Sequence, residues 1–238
     1  MLRFLNEPAG GSGASLYLPP RSLMGEIEEI LRISPLPSDL AKLITNSKTG
    51  AVIFWGEQHR YLVLPPFPVT QRRVSTGLDV DPLRSLLQRE FTIALILVRL
   101  GSYAIGVFKG EELVSSKVGT GLIHSRHKKG GSSQRRFERH REKQIELFFS
   151  RVCTHVRERL EPHIGRLDYV IYGGERNTLL SFRKQCRFLQ PLEDRTLEAL
   201  LNVRKPGQAA LEAAIGEAWS SELIEWIEKG DIPPSTSC

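Results

Sequence analysis

Three apolar runs, separated by short turns, lie near the middle of the chain. They span residues 91–98 (FTIALILV), 103–108 (YAIGVF) and 112–118 (ELVSSKV), and each has the length and the β-branched or aromatic content of a strand. Each link contains a glycine, Gly101 or Gly110, which suits a tight hairpin turn. The pattern therefore predicts an antiparallel meander of three strands.

The apolar spacing changes after a loop, residues 119–133, that is rich in Gly, Ser, His and Lys. Apolar side chains then recur every three or four positions, which places them on one side of a helix. We predict that this helix runs from Gln134 to about Pro162. Its apolar side is formed by Phe137, Ile145, Phe148, Phe149, Val152, Val156 and Leu160.

Strand-like and helical segments alternate in the rest of the chain. A buried strand is predicted at 167–172 with a helix after it, then a strand near 200–203 and a helix at 208–219. Gly173-Gly174 lacks the spaced glycines and the lysine of a nucleotide-binding loop, so we interpret it as a tight link between strand and helix. The series predicts an α/β fold, a mixed sheet with packed helices.

The residues before this region predict a smaller α+β segment. A helix that ends before Pro35 is followed by a probable hairpin of AVIFW (51–55) and RYLVL (60–64). The predicted domains are an N-terminal α+β segment at 1–88, a main domain at 89–220, and a C-terminal helix with a loose tail at 221–238.

Composition narrows the class of protein. The 238 residues are 40% hydrophobic, which is enough to form a core, and the net charge of +6 favours partners that carry phosphate. The three cysteines are widely spaced, which argues against a disulfide framework or structural zinc and for a reducing compartment. The longest apolar run is far below the ~20 residues of a membrane-spanning helix. We therefore expect a cytoplasmic protein that contacts no membrane.

Positive charge is concentrated where the long helix begins. Eight Lys or Arg and two Glu lie between His124 and Gln144, and this local net charge of +6 equals that of the whole chain. Such a run can be a solvated helix face with a basic loop. However, Arg135, Arg136 and Arg139 oppose the helix dipole by ~0.3–1 kcal/mol each, and phosphates bound at the helix start would offset this cost.

The residues just before the helix favour close approach to a ligand. Gly130 and Gly131 have no Cβ and tolerate positive φ angles, so a ligand can lie against their backbone. Ser132 or Ser133 can cap the helix, and Gln134 then stands at its tip.

The segment GGSSQRRFERHREKQ resembles the class-1 translation termination factors of eukaryotes and archaea, in which a GGQ loop leads into a basic helix. Arg136, Phe137, Arg139 and Arg141 occupy the corresponding places. The resemblance continues through DYVIYGGERNTLLSF and RTLEALLNVRKPGQAALEAAI and covers roughly residues 90–220. It implies a fold like the middle domain of those factors.

One departure from that pattern favours a different, related family. When Phe137 is aligned, Ser132 takes the place of the termination-factor glutamine, and Gln134 lies two residues later. A displaced glutamine of this kind resembles the Vms-like release-factor family of peptidyl-tRNA hydrolases. The resemblance implies release of the nascent peptide from peptidyl-tRNA on stalled large ribosomal subunits, by a monomer that needs no cofactor and no metal.

This resemblance assigns a role to each candidate residue. Gln134 would position a water, because its neutral amide both donates and accepts hydrogen bonds. The predicted catalytic loop comprises Gly130, Gly131, Ser132, Ser133 and Gln134. The predicted RNA contacts are Lys128, Lys129, Arg135, Arg136, Arg139 and Arg141.

Two alternatives remain open on the same surface. The first is an endonuclease that cuts near the tRNA 3′ CCA end, with His127 or His140 transferring a proton. The second is an RNA- or ribosome-binding protein that has kept the fold and lost the reaction. The charge pattern is the same in all three cases.

Overall fold

The computed structural model describes residues 13–22, 36–56, 60–124 and 132–226. The chain forms two units, one made of the residues up to Arg89 together with those from Trp219 onwards, the other of Glu90 to Ala218. The predicted helix before Pro35 and the predicted loose tail lie outside the described residues.

The helices and strands are named in chain order. They are β1 (Ala14–Leu18), α1 (Ser38–Asn46), β2 (Ala51–Trp55), β3 (Arg60–Leu64), β4 (Arg73–Thr76), α2 (Asp81–Gln88), β5 (Thr92–Arg99), β6 (Ser102–Lys109), β7 (Glu112–Thr120), α3 (Ser132–Leu160), β8 (Tyr169–Gly174), α4 (Arg176–Gln185), β9 (Thr196–Leu201), α5 (Gln208–Ala218) and β10 (Glu222–Trp226). Two 3₁₀ helices, Glu161–His163 and Arg187–Arg195, follow α3 and α4.

The first unit contains a five-stranded sheet in the order β10-β3-β2-β1-β4. The predicted hairpin is confirmed, because β2 and β3 pair antiparallel. The predicted C-terminal helix is wrong over the described residues, where β10 pairs antiparallel with β3. Ile224 and Trp226 pack on the core of this unit, whereas Glu225 between them is exposed, which is the two-residue period of a strand.

The second unit contains a mixed sheet in the order β7-β6-β5-β8-β9. The predicted meander is confirmed, since β5, β6 and β7 pair antiparallel, and β8 pairs parallel with β5. Residues 93–98 are fully buried, as expected for a strand covered on both faces. The predicted α/β class, a mixed sheet with packed helices, is therefore confirmed.

Helices cover both faces of this mixed sheet. On one face, Ala94 and Ile96 of β5 share a buried cluster with Phe149 and Val152 of α3 and Phe182 of α4. Helix α5 packs on the opposite face, where a Cβ at Gly106 of β6 would lie 3.1 Å from Leu211 Cδ2. This packing fixes helix α3 against the sheet along the buried part of its length.

The glycine pair at the end of β8 forms a tight link between strand and helix, as predicted. Gly174 has a φ of 129°, which disfavours other residues, and a Cβ there would overlap the carbonyl oxygen of Val98. Helix α4 begins two residues later, at Arg176.

A disulfide joins Cys153 of α3 to Cys186, the residue that follows α4. The expectation of a chain without disulfides is therefore wrong. Cysteine spacing did not reveal the pair, because its members are 33 residues apart and meet only when the two helices pack together.

The disulfide predicts a thiol count that depends on reduction. Denatured, non-reduced protein should bind an alkylating reagent at one of its three cysteines, Cys238, and at all three after reduction. Reduction should also lower the free energy of unfolding by about 3–4 kcal/mol, because the cross-link closes a long loop. Mass spectrometry and denaturant titration measure the two effects.

Cys238→Ser is the matched control, since it should leave the stability unchanged in either redox state. Three alkylated cysteines without reduction would contradict the disulfide.

Candidate functional site

Helix α3 is longer than the strands that it covers. Its 29 residues span about 43 Å at 1.5 Å per residue, whereas the eight residues of β5 span about 26 Å. Residues 135–140 are all exposed, and the first fully buried side chain beyond them is Phe148. The first turns of the helix therefore project beyond the sheet, and we call residues 132–143 the overhang.

The overhang changes two expectations from the sequence. Phe137 is 57% exposed, so it does not pack in the core with the other residues of the predicted apolar side of the helix. The helix begins at Ser132, two residues before the predicted start, so Ser132, Ser133 and Gln134 lie in the first turn. Ile145 and the five apolar residues from Phe148 to Leu160 do pack on the core, as predicted.

The remaining predicted loop residues fall outside the described part of the chain. These residues are His127, Lys128, Lys129, Gly130 and Gly131. The structure therefore gives the backbone position of Gln134 at the helix start, and the roles assigned to these five residues stay predictions.

The overhang is a cationic helix start. Arg135, Arg136 and Arg139 are exposed, and the first turn contains no acidic residue. Arg135 and Arg136, at the end of the first turn, oppose the helix dipole, which favours anions at this end, whereas Arg139 lies about two turns from the helix start, where this effect has faded. Free backbone N–H groups at a helix start attract anions as well, so the charges and the backbone favour the same class of ligand.

Residues 120–124, which we call the exit segment, leave strand β7 and run along helix α3. Arg151 Nη1 donates to the carbonyl oxygen of Thr120 at 3.4 Å. A Cβ at Gly121 would lie 2.6 Å from Phe148 Cδ2, so the absence of a side chain lets this ring approach the backbone. Ile123 packs against the core.

The last residue of the exit segment, His124, forms hydrogen bonds through both its backbone N–H and its backbone carbonyl oxygen. Its N–H donates to Gln144 Oε1 at 3.2 Å, and its carbonyl oxygen accepts from Arg141 Nε at 3.0 Å. The rings of His124 and His140 stack with centroids 6.1 Å apart, and His140 Nε2 lies 3.4 Å from Gln144 Nε2. Arg141 and His140, predicted to serve RNA binding and proton transfer, thus contact the protein itself.

Gln144 and Arg151 are site residues that the sequence analysis missed. The i,i+4 spacing of His140 and Gln144 shows that they share a helix face. It does not show that this face meets the backbone of His124, because that contact depends on the path of the chain after β7.

Two groups with shifted pKa values, Tyr103 and Glu158, lie at the packed half of helix α3, far along the helix from Gln134. Tyr103 is buried, and this burial raises the pKa of its phenol, which stays neutral at physiological pH. Its ring stacks on His155, with centroids 5.8 Å apart. A hydrogen bond from His155 lowers the pKa of Glu158, so this carboxylate is ionised and paired.

Other candidate sites in the described residues are few. No group of three or more His, Cys, Asp or Glu is placed to hold a metal there, and no helix within those ranges is long and apolar enough to cross a membrane. A groove of about 520 Å³ lies between α4 and β9, lined by Tyr172, Arg176 and Leu200 among others, and none of the predicted site residues lines it.

A cationic helix start projects from a mixed α/β unit, and Gly130-Gly131 comes just before it in the sequence. This combination is typical of a release-factor-like protein. The family model of the Actinobacteria/chloroflexi VLRF1 release factor matches residues 91–224, more than half of the chain. The chain belongs to this family.

Archaeal proteins named peptide chain release factor subunit 1 are similar in sequence. The Aeropyrum pernix protein is 27% identical over 191 residues, which cover 67% of this chain and 51% of the relative. The Archaeoglobus fulgidus protein is 28% identical over 117 residues, which cover 49% of this chain and 29% of the relative. The chain thus spans about half, or less, of the length of these relatives.

Two solved structures are also similar to the chain. The archaeal translation termination factor aRF1 is 21% identical, with a TM-score of 0.43, and the match covers 91% of this chain and 68% of that one. The Vms1 mitochondrial localization core is 10% identical, with a TM-score of 0.45, and the match covers 78% of this chain and 80% of that one.

The cationic helix start predicts that stability improves when its charge is reversed. Arg135→Glu should raise the free energy of unfolding by about 0.3–1 kcal/mol, because an anion replaces a cation in the first turn. Denaturant titration at low salt measures this change.

Lys143→Glu is the matched control, since it makes the same change of charge at an exposed position away from both helix ends. An equal gain from Lys143→Glu would show that net charge, and not the helix dipole, causes the effect.

Proposed function

We propose that this protein is a ribosome-associated rescue factor that releases the nascent peptide from peptidyl-tRNA on stalled large ribosomal subunits. One observation carries the proposal: Gln134 lies in the first turn of a projecting, cationic helix, in a chain of a release-factor family. A projecting helix tip can enter a narrow RNA-walled cavity, while the sheet and the other helices stay outside.

The proposed reaction is hydrolysis of the ester between the peptide and the terminal ribose. Water attacks the ester carbonyl carbon, the bond from this carbon to the ribose oxygen breaks, the peptide leaves as a carboxylic acid, and the ribose oxygen takes up a proton. An ester is already activated, so a positioned water and stabilisation of the oxyanion supply most of the rate. A glutamine amide can orient water without changing its own charge.

The loop and the arginines have separate proposed roles. Gly130, Gly131, Ser132 and Ser133 bring the backbone close to the ester and carry Gln134 to it. Lys128, Lys129, Arg135, Arg136 and Arg139 hold RNA phosphates, since lysine and arginine bind phosphate oxygens through charge-assisted hydrogen bonds. We propose a cytoplasmic monomer with peptidyl-tRNA and the large ribosomal subunit as partners, and without a cofactor.

Gln134→Ala should slow peptide release on the order of 10²-fold, because the water would lose its positioning group. The measurement is release from purified complexes of peptidyl-tRNA with the large subunit at saturating protein.

The control is Gln190→Ala, which removes an exposed glutamine from the 3₁₀ helix after α4 and should leave release unchanged. If Gln134→Ala releases peptide at the wild-type rate, glutamine-centred hydrolysis is wrong. The 3′ end of the released tRNA separates the alternatives: an intact CCA end supports hydrolysis, and a shortened end supports the endonuclease. A wild-type protein that binds but releases nothing is the non-enzymatic alternative.

Arg139→Ala should weaken binding to all RNA sequences to a similar degree and reduce the slope of log affinity against log salt by about one. The reason is that each phosphate contact releases condensed counterions. Binding titrations against single-stranded RNAs of different sequence, at several salt concentrations, measure both effects. A loss confined to one sequence would instead assign Arg139 to base recognition.

A further inference from the structure

We propose that Arg141, His140 and Gln144 are positioning residues, which fix His124 to helix α3 and so set where the catalytic loop starts. We call these three residues the His124 clamp. The proposal rests on the proposed function and adds residues to which that function gives no part in positioning the loop.

The clamp binds one residue through both of its backbone polar groups. His124 donates its N–H to Gln144 Oε1 and accepts at its carbonyl oxygen from Arg141 Nε, at 3.2 and 3.0 Å. Residues 141 and 144 are one turn apart, so both side chains reach His124 from the same helix face. Two opposed bonds fix the position and the direction of the backbone at this point.

His140 orients the glutamine within the clamp. The N–H of His124 needs an acceptor, so Gln144 must point Oε1 towards it and Nε2 towards the ring of His140. An amide nitrogen only donates, and His140 Nε2 therefore accepts. The stack of His140 on His124 holds the two rings together.

Successive residues of the exit segment contact residues of helix α3 that lie progressively closer to the helix start. Thr120 contacts Arg151, Gly121 lies against Phe148, and His124 is bonded by residues 144 and 141. Ten helix residues rise about 15 Å, and four extended residues cover about 13 Å, so the exit segment runs nearly along the helix axis. The clamp is the last of these contacts before the loop.

The clamp therefore fixes the backbone at His124, the residue just before 125–131. From the level of the clamp to Ser132 the helix rises about another 15 Å, and seven residues, 125–131, join His124 to Ser132. Without the clamp, the nearest residue of the exit segment that still packs on the core is Ile123, so the backbone of His124 alone loses its two hydrogen bonds. Releasing one residue changes the closure entropy of a connection by well under 1 kcal/mol, so the loss should act on the position and direction of the backbone at His124 and not on stability.

The clamp is separate from the packing that holds helix α3. Phe148, Val152, Val156 and Leu160 are buried in the core, and the disulfide at Cys153 ties the same half of the helix to α4. His124 and His140 are exposed. Loss of the clamp should thus affect positioning far more than folding.

The test uses Gln144→Leu in the full chain and two measurements. Amide hydrogen exchange, followed by NMR, should show the His124 N–H protected in the wild type and exchanging at least about ten-fold faster in the variant. The maximal rate of peptide release should fall about 10- to 100-fold, while the half-saturating protein concentration and the melting temperature change little. Gln144→Glu, which keeps an acceptor for His124, should restore the protection and most of the rate.

The matched control is Gln185→Leu, because Gln185 Nε2 also donates to the backbone of α3, at the carbonyl oxygen of Glu146, outside the clamp. The proposal is overturned if the wild-type His124 amide is unprotected, or if Gln144→Leu keeps the wild-type maximal rate. It is also overturned if only the half-saturating concentration changes, or if Gln185→Leu loses as much rate. If the wild type releases no peptide, the proposed function fails, and hydrogen exchange alone decides whether the clamp exists.

Discussion

The site depends on a difference in length between helix α3 and the sheet that it covers. The half of the helix from Phe148 to Leu160 is packed on the mixed sheet and cross-linked through Cys153. Nearer the helix start, residues 135–140 are all exposed. A helix is a rigid element because every turn is hydrogen-bonded to the next. The buried half can therefore hold the helix start, with Gln134, well away from the rest of the unit.

The exposure of the helix start also bears on why arginines are found there. Cations in the first turn oppose the helix dipole, and a solvent-exposed helix gains nothing from them in the free protein. Arg135 and Arg136 become favourable there when an anion is bound. The free protein gives up some stability at this end of the helix, and the packed core at the other end makes that loss tolerable.

Much of the fold was predictable from local patterns, because the apolar periodicity of a strand or a helix is visible in residues that are close together in the sequence. The apolar run at 93–98 and the buried stripe of α3 are examples. Phe137 lies on the predicted apolar side of α3 but is exposed; periodicity identifies a helix face and not how far along the helix that face is covered. The predicted C-terminal helix is a strand over residues 222–226, and its pairing with β3 joins residues too far apart in the chain for local patterns to show.

The site was predictable in its charge and less so in its geometry. Arginines, glycines and Gln134 form a dense cluster in the sequence, so the positive charge at the helix start was predictable from the sequence alone. The bonds from Arg141 and Gln144 to His124 join a side chain to a backbone 17 and 20 residues away. Backbone groups are the same in every residue, so such bonds leave no signature in composition or spacing. The link between Cys153 and Cys186 was hidden in the same way.

The packing of Phe148 affects how precisely the start of helix α3 is positioned. This ring lies against Gly121 and beside Phe149, at the point where helix α3 leaves the core. It acts as the pivot of a lever whose long arm reaches to Ser132, about 24 Å away. A tilt of only ~4° at the pivot would shift the tip by ~1.7 Å, and displacements of that size are enough to impair a reaction that depends on position. The accuracy of the tip is therefore decided by how tightly a few aromatic rings pack far from it.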